Sequence, residues 1–246
     1  MAKVRVFNHS IPEIGYISRT VTQGDEFEMV SRYINYLITV YKRSKCKNAA
    51  IFIEPQIDSG YPDIVIVEYT SKLGANWNDF RWDLTNTDLK ILYQIQMQKY
   101  VSVDELSDLL GFTHTSIEKS INHLCQCDLV HLSSSKKSVR NVPLSRYCQI
   151  RKVISIEAKI NKWADAIKQA ERNIWFSTES YILMNRESCN SSILNDCQKR
   201  GIGIILVNGS IKKALESEQR LFPVSYASLQ FGEWLQKAEK MEVAVK

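Results

Sequence analysis

Asp63, preceded by Pro62, and the triplet Glu157-Ala158-Lys159 are the side chains whose types and spacing best suit chemistry in this sequence. Two carboxylates can hold a hard divalent cation through oxygen and leave water positions open for a nucleophile and a phosphate. Mg²⁺ or Mn²⁺ is the expected ion, with Asp63 and Glu157 as ligands and the Ala158 carbonyl as a third oxygen. Glu157 and Lys159 stand two apart on an expected strand, so their side chains should leave the same face. From there the Lys159 ammonium can stabilise a hydroxide or the charge building on phosphorus. The plain alternative for Asp63 is an acidic turn residue after proline; for Glu157 and Lys159 it is an exposed strand-end pair of little energetic weight.

These residues need strands and helices to position them. Lys3 to Phe7 reads as a short strand. From Asp25, the expected N-cap, Phe27, Val30, Ile34, Leu37, Ile38 and Tyr41 recur at helical spacing. Ala49 to Ile53 and Ile64 to Val67 are apolar runs separated by the turn Asp58-Ser59-Gly60, a hairpin pattern in which Pro62-Asp63 leads into the second strand. Val153 to Ile156 predicts a third strand ending at Glu157-Ala158-Lys159. Trp163, Ala166, Ile167, Ala170 and Ile174 then mark a helix. A strand at 180–184, a helix at 193–199, a strand at 202–207 and a helix from Tyr226 to Lys240 complete the pattern. Alternating strand and helix favours parallel pairing in an α/β sheet. Glu54 and Glu68, flanking the hairpin strands, read as structural or exposed.

The block from Asn86 to Val142 is too long for an ordinary connection and needs its own fold. Leu89, Leu92 and Ile95 mark one helix. Ser102-Val103-Asp104-Glu105 is a capping box that opens a second, stopped by Gly111. A third helix begins near Thr115, and Leu129 to Arg140 then reads as strand, basic tip and strand. Three helices followed by a basic hairpin predict a winged helix-turn-helix. Were it a DNA reader, His114, Thr115, Ser116, Lys119 and His123 would approach the major groove, while Lys136, Lys137 and Arg140 would contact phosphates. Its alternative is a dimerisation or packing module. The expected organisation is therefore a discontinuous α/β core, 1–85 with 143–246, interrupted by a winged helix-turn-helix domain at 86–142.

Pro62-Asp63 and Glu157-Ala158-Lys159, in their strand settings, resemble the two halves of the PD-(D/E)XK nuclease motif. The order of helix, hairpin, third strand, helix and strand is similar to that superfamily's restriction-endonuclease-like αβββαβ core, over most of residues 25–85 and 150–210. The resemblance implies a metal-dependent nuclease with Asp63, Glu157 and Lys159 as its catalytic set. It also implies a site-facing glutamine on the helix after the Glu-x-Lys strand, which would be Gln169. The fuller Gln-x-x-Tyr pattern is not kept, because Arg172 stands where an aromatic is expected. Some members add a glutamate from the N-terminal helix. Glu26 and Glu28 compete for that role, with Glu28 preferred, against the bland reading of a solvated acidic first turn.

Composition sets outer bounds. The 246 residues, 44% hydrophobic and 24% charged, can bury a sizeable core. A net charge of +5 tolerates a polyanionic partner. Six cysteines form no C-x-x-C pair, and Cys125 and Cys127 are only two apart, so a structural zinc site is not expected. With no apolar signal segment and no bilayer-length apolar run, they read as reduced residues of a cytoplasmic protein. No phosphate-binding loop, H-E-x-x-H or G-x-S-x-G motif occurs, and Gly201-Ile202-Gly203 is too short to mark a dinucleotide site. The leading expectation is a Mg²⁺-dependent DNA endonuclease of restriction, genome-defence or mobile-element type. It would act as a homodimer or within a larger assembly, because cutting both strands needs two centres. The alternatives are a non-catalytic DNA-binding regulator that keeps a nuclease-like scaffold, and an assembly subunit of a larger complex.

Overall fold

The structure, a computed structural model, describes residues 3–19, 24–44, 48–70, 76–134 and 138–244. The chain first forms β1 (Val4–Phe7), α1 (Asp25–Arg43), β2 (Asn48–Ile53) and β3 (Ile64–Tyr69). It continues through α2 (Asn86–Gln98), β4 (Tyr100–Ser102), α3 (Val103–Leu110), α4 (His114–Gln126), β5 (Val130–Leu132), β6 (Ser138–Asn141) and α5 (Leu144–Tyr147). Then follow β7 (Ile150–Lys159), α6 (Trp163–Asn173), β8 (Glu179–Met184), α7 (Ser191–Lys199), β9 (Gly203–Leu206), β10 (Lys212–Leu215) and α8 (Tyr226–Ala244). Two compact units result: Met1–Ser71 with Ile150–Val224, and Lys72–Gln149 with Ser225–Lys246.

The first unit is a mixed α/β layer built on a seven-stranded sheet in the order β1-β2-β3-β7-β8-β9-β10. The strands β7, β8 and β9 pair in parallel, as strand-helix alternation requires. β2-β3 and β3-β7 are antiparallel. The β-branched run Ile64-Val65-Ile66-Val67 of β3 is buried at every position, so both of its faces are covered. The pleat sorts them. Tyr181 and Leu183 of β8 join Ile64, Ile66, Ile156 and Ala158 under Val30, Ile34 and Leu37 of α1. The alternate residues Ile182 and Met184 pack with Ala166, Ile167 and Ala170 of α6 and Ile193 and Cys197 of α7.

Two local details differ from expectation. Asp25 is the first helical residue and not the cap. Gly24, at φ 135°, holds the cap position, and Asp25, Glu26 and Glu28 form an acidic first turn that suits the helix dipole. β10 has an exposed, lysine-rich face typical of a protected sheet edge, so it lacks the apolar signal of a strand. Glu68 takes the structural one of its two expected readings: it is buried and accepts a hydrogen bond from the Tyr41 hydroxyl at 2.8 Å.

Gly203 has a structural reason. It pairs with Tyr181 across β8 and β9, and a Cβ at that position would collide with the Tyr181 ring and approach the Ser217 amide nitrogen to 2.8 Å. Gly203→Ala is expected to cost about 1–3 kcal/mol through overpacking, read from the midpoint of urea unfolding with an unchanged slope.

The second unit holds α2, α3, α4 and α8 with a three-stranded antiparallel sheet in the order β4-β6-β5. The Ser102–Glu105 capping box forms as the sequence spells it, and Gly111 at φ 67° ends α3. A second box, Thr85 with Asp88, opens α2. This unit takes in more chain than residues 86–142, and residues 225–246 belong with it and not with the sheet. The physical reason is α8: its Glu233 accepts from Arg81 Nη2 at 2.5 Å, with Arg81 fully buried, and Gln236 donates to the Tyr147 carbonyl. An isolated buried guanidinium would be costly, so the helix that carries its counter-charge is held with it. Among the described residues no helix is long and apolar enough to cross a membrane.

Candidate active site

The register of β3 against β7 creates the site. Ile64 pairs with Ile156 in antiparallel fashion, so one step further along the same ladder sets Asp63 beside Glu157. The Asp63 carboxylate is fixed by the Ala158 amide, which donates to its Oδ2 at 2.8 Å. Glu157 is buried at 4% exposure, accepts from Asn173 Nδ2 of α6 at 2.7 Å, and shares a hydrogen bond with Asp63. Two carboxyl groups this close in a low-dielectric setting cannot both ionise freely. Burial, then the neighbouring Asp63 charge, pushes Glu157 up to about 8. Burial also raises Asp63, against the pull of the Ala158 N–H and Lys159.

Lys159 supplies the cation of the group. Its Nζ lies 3.9 Å from Asp63 Oδ2 and 3.2 Å from Glu26 Oε2, and donates to the Ala158 carbonyl at 2.9 Å. Burial pulls the ammonium down, but Asp63, Glu26 and Glu157 outweigh it and hold the side chain charged. Glu157 and Lys159 start from the same strand two residues apart, yet their ends diverge: the carboxyl turns to Asn173 of α6 and the ammonium to Glu26 of α1.

A cleft of about 540 Å³ opens beside this cluster, with Arg19, Glu26, Glu54, Asp63 and Lys159 among its polar lining. Phe27, Val30, Ile34 and Ile38 of α1 form an apolar wall, while Glu157 is not among the lining residues. Glu54 holds an unusual φ of 47°, accepts Arg19 Nε at 2.6 Å, and accepts the Arg19 amide on its main-chain oxygen. A non-glycine residue in that region is strained, and such strain gathers at functional sites. The bonded Glu54 carboxylate raises Arg19 above its usual value, with help from Asp63 and Glu157.

Other sequence candidates fall elsewhere. Glu26, not the preferred Glu28, meets Lys159. At about 100° per residue the two point roughly 200° apart, and Glu28 is exposed. Gln169 does not line the cleft, and its Oε1 is buried with no hydrogen-bond partner among the described residues. Asn173, one turn on, is the α6 residue that reaches Glu157. Sequence reading missed Asn173 and Arg19; the i,i+4 spacing from Gln169 is the signal that pointed to Asn173's face.

In the second unit His114, Thr115 and Lys119 are exposed on α4, Ser116 is half-buried, and Arg140 is exposed on β6. His123 does not face solvent with them: its Nδ1 lies 3.1 Å from Asp88 Oδ2 and its Nε2 3.1 Å from the Phe80 carbonyl. Lys136 and Lys137 lie outside the described residues. Within 72–149, nine Lys and Arg stand against eight Asp and Glu, so any phosphate attraction here comes from local placement and not from bulk charge.

Among the described residues no group of three or more His, Cys, Asp or Glu is arranged to hold a metal ion. Asp63 and Glu157, neighbours on the β3-β7 ladder, offer two carboxylates, while the Ala158 carbonyl expected as a third oxygen accepts from Lys159 Nζ at 2.9 Å. Mg²⁺ binds through one or two carboxylates and keeps several waters, so this donor set suits it. No family model, no curated protein and no solved structure matches this chain.

Proposed function

We propose that the first unit is a metal-dependent phosphodiesterase acting on DNA, similar to the PD-(D/E)XK nucleases, and that the second is a winged helix-turn-helix that helps hold the substrate. The observation that carries the reading is the meeting of Asp63 and Glu157 across the β3-β7 ladder, with Lys159 Nζ 3.9 Å from Asp63. The order α1, β2, β3, β7, α6, β8 supports it, because it is the αβββαβ order of that superfamily's core. Three capped or apolar-faced helices and a small antiparallel sheet support the winged-helix reading of the second unit.

Within this reading each residue has a task. Asp63 and Glu157 would hold Mg²⁺ or Mn²⁺, which lowers the pKa of a bound water and polarises the phosphate. Asn173 orients Glu157 by its hydrogen bond, and the Ala158 N–H orients Asp63. Lys159 is charged and beside Asp63, placed to steady the attacking oxygen or the charge that builds on phosphorus. Glu26 holds the Lys159 ammonium in place from α1.

Calorimetric titration with Mn²⁺ tests the proposal without relying on turnover. One ion per chain is expected to bind to the wild type and none to Asp63→Ala. Affinity should fall as pH drops below about 8, since the cation must displace the proton on the carboxyl pair. Equal Mn²⁺ binding by wild type and Asp63→Ala would remove the metal centre from this place.

A further inference from the structure

The cleft beside the carboxylate pair has a chemistry that a duplex backbone does not explain. Its volume of about 540 Å³ falls in the range of about 300–1,000 Å³ typical of small-ligand pockets, enough for a nucleotide and too small for two paired strands. A sugar-phosphate chain asks for polar walls, whereas Phe27, Val30, Ile34, Ile38 and Ile53 make one side of this cleft apolar. Phe27 is 43% exposed and open to a flat partner. Asn8, Ser31 and Asn35 add amide and hydroxyl groups of the kind that hydrogen-bond a base edge.

Arg19 brings a guanidinium to the same cleft, among the carboxylates of Glu26, Glu54 and Asp63. Arg19 spends its Nε on Glu54 at 2.6 Å, and its side chain is 49% exposed, which leaves the two Nη groups open to the cleft. Glu54 is itself buried and fixed at positive φ, so the guanidinium is held in one orientation. A pre-oriented guanidinium binds phosphate in a two-pronged manner with little entropy loss.

We infer that this cleft receives one unpaired nucleotide of the substrate strand, its base against Phe27 and the apolar wall of α1 and its phosphate on Arg19. The inference rests on the nuclease reading and narrows its substrate to DNA with an unpaired position, whether a single-stranded end or a base turned out of the stack. Extruding a base costs little where it is already unpaired, so such sites would be preferred over continuous duplex. Arg19 is thereby a substrate-touching residue, and Glu54 a positioning residue that acts through it.

The test uses the full chain carrying Asp63→Asn, which blocks turnover, and oligonucleotides with 2-aminopurine at a single-stranded end, at a single unpaired position in a duplex, or in a blunt duplex. Both unpaired forms are expected to bind at least tenfold tighter than the blunt form and to change 2-aminopurine fluorescence on binding. Adding Phe27→Ala should weaken the unpaired forms by roughly 5- to 100-fold, the range for one lost base stack, and leave the blunt form unaffected, while Phe27→Trp restores the fluorescence change. Arg19→Ala should weaken all phosphate-bearing ends, and replacing one phosphate by a neutral methylphosphonate should cancel the difference between Arg19→Ala and its parent. Equal binding of blunt and unpaired DNA, with Mg²⁺-dependent cleavage by the wild type intact, overturns the inference and leaves the nuclease reading standing. Failure of every DNA to bind or be cut overturns both. A preference for single-stranded ends alone assigns the source as a strand terminus, and a preference for the internal unpaired position assigns it as an extruded base.

Discussion

Asp63→Asn is expected to lower Mg²⁺-dependent DNA cleavage by about 1,000-fold or more, with the fold retained. The change is nearly isosteric, and an asparagine Oδ1 can still accept the Ala158 amide that now bonds Asp63 at 2.8 Å. What disappears is one of two anionic ligands. The cation then loses its hold, and with it several kcal/mol of stabilisation of the transition state, at about 1.4 kcal/mol per tenfold. Lys159→Ala should cost less, about 100-fold, because it removes one stabilising charge and leaves both carboxylates. Single-turnover cleavage at saturating enzyme, alongside near-ultraviolet circular dichroism, measures both. If either protein cuts as fast as the wild type, the catalytic assignment of that residue fails.

The elements that position the site were legible because their signals are local. A buried β-branched run at 64–67, an apolar helical period from Phe27 to Tyr41, and the Ser102–Glu105 box each declare themselves within a few residues. Asp63 and Glu157 could be paired on paper only through a resemblance, since Pro62-Asp63 and Glu157-Ala158-Lys159 are similar to the two halves of one nuclease motif. The partners were harder. Whether Glu26 or Glu28 meets Lys159 depends on how α1 is rotated over the sheet, which packing of Met29, Val30, Tyr33 and Ile34 decides. Likewise Asn173 and Gln169 share one helical face, and only the height of α6 along β7 selects Asn173 for Glu157. Arg19 lies in a stretch without periodicity, tied down by hydrogen bonds of Tyr16 and Ser18 to the Ile53 carbonyl, and no sequence period reports such ties. Residues 225–246 were misassigned because an amphipathic helix does not say which core it joins; the Arg81–Glu233 pair does.

Glu157→Gln should reverse its effect on stability when metal is added. In the metal-free protein Glu157 titrates at about 8 against an ordinary 4.5, so between those values the folded state holds a proton that the unfolded state has released. The slope of unfolding free energy with pH is then negative. The stabilising contribution is complete below about 4.5 and is lost as pH rises through about 8. Asp63 is raised as well, so the pair acts in the same direction and titrates as a unit. Glutamine is never charged, its Oε1 can keep the bond from Asn173 Nδ2, and its amide can donate to Asp63. Without metal, Glu157→Gln should therefore melt above the wild type at pH 8.5 and lose less stability between pH 5 and 9. With Mn²⁺ at a hundred times its dissociation constant the wild type gains about 2.7 kcal/mol, and the variant, lacking a ligand, gains little. The order of melting temperatures at pH 8.5 should invert on adding Mn²⁺ and revert with chelator. Parallel pH profiles for the two metal-free proteins would mean that the Glu157 carboxyl is not confined against Asp63, and the metal centre would lose its physical basis.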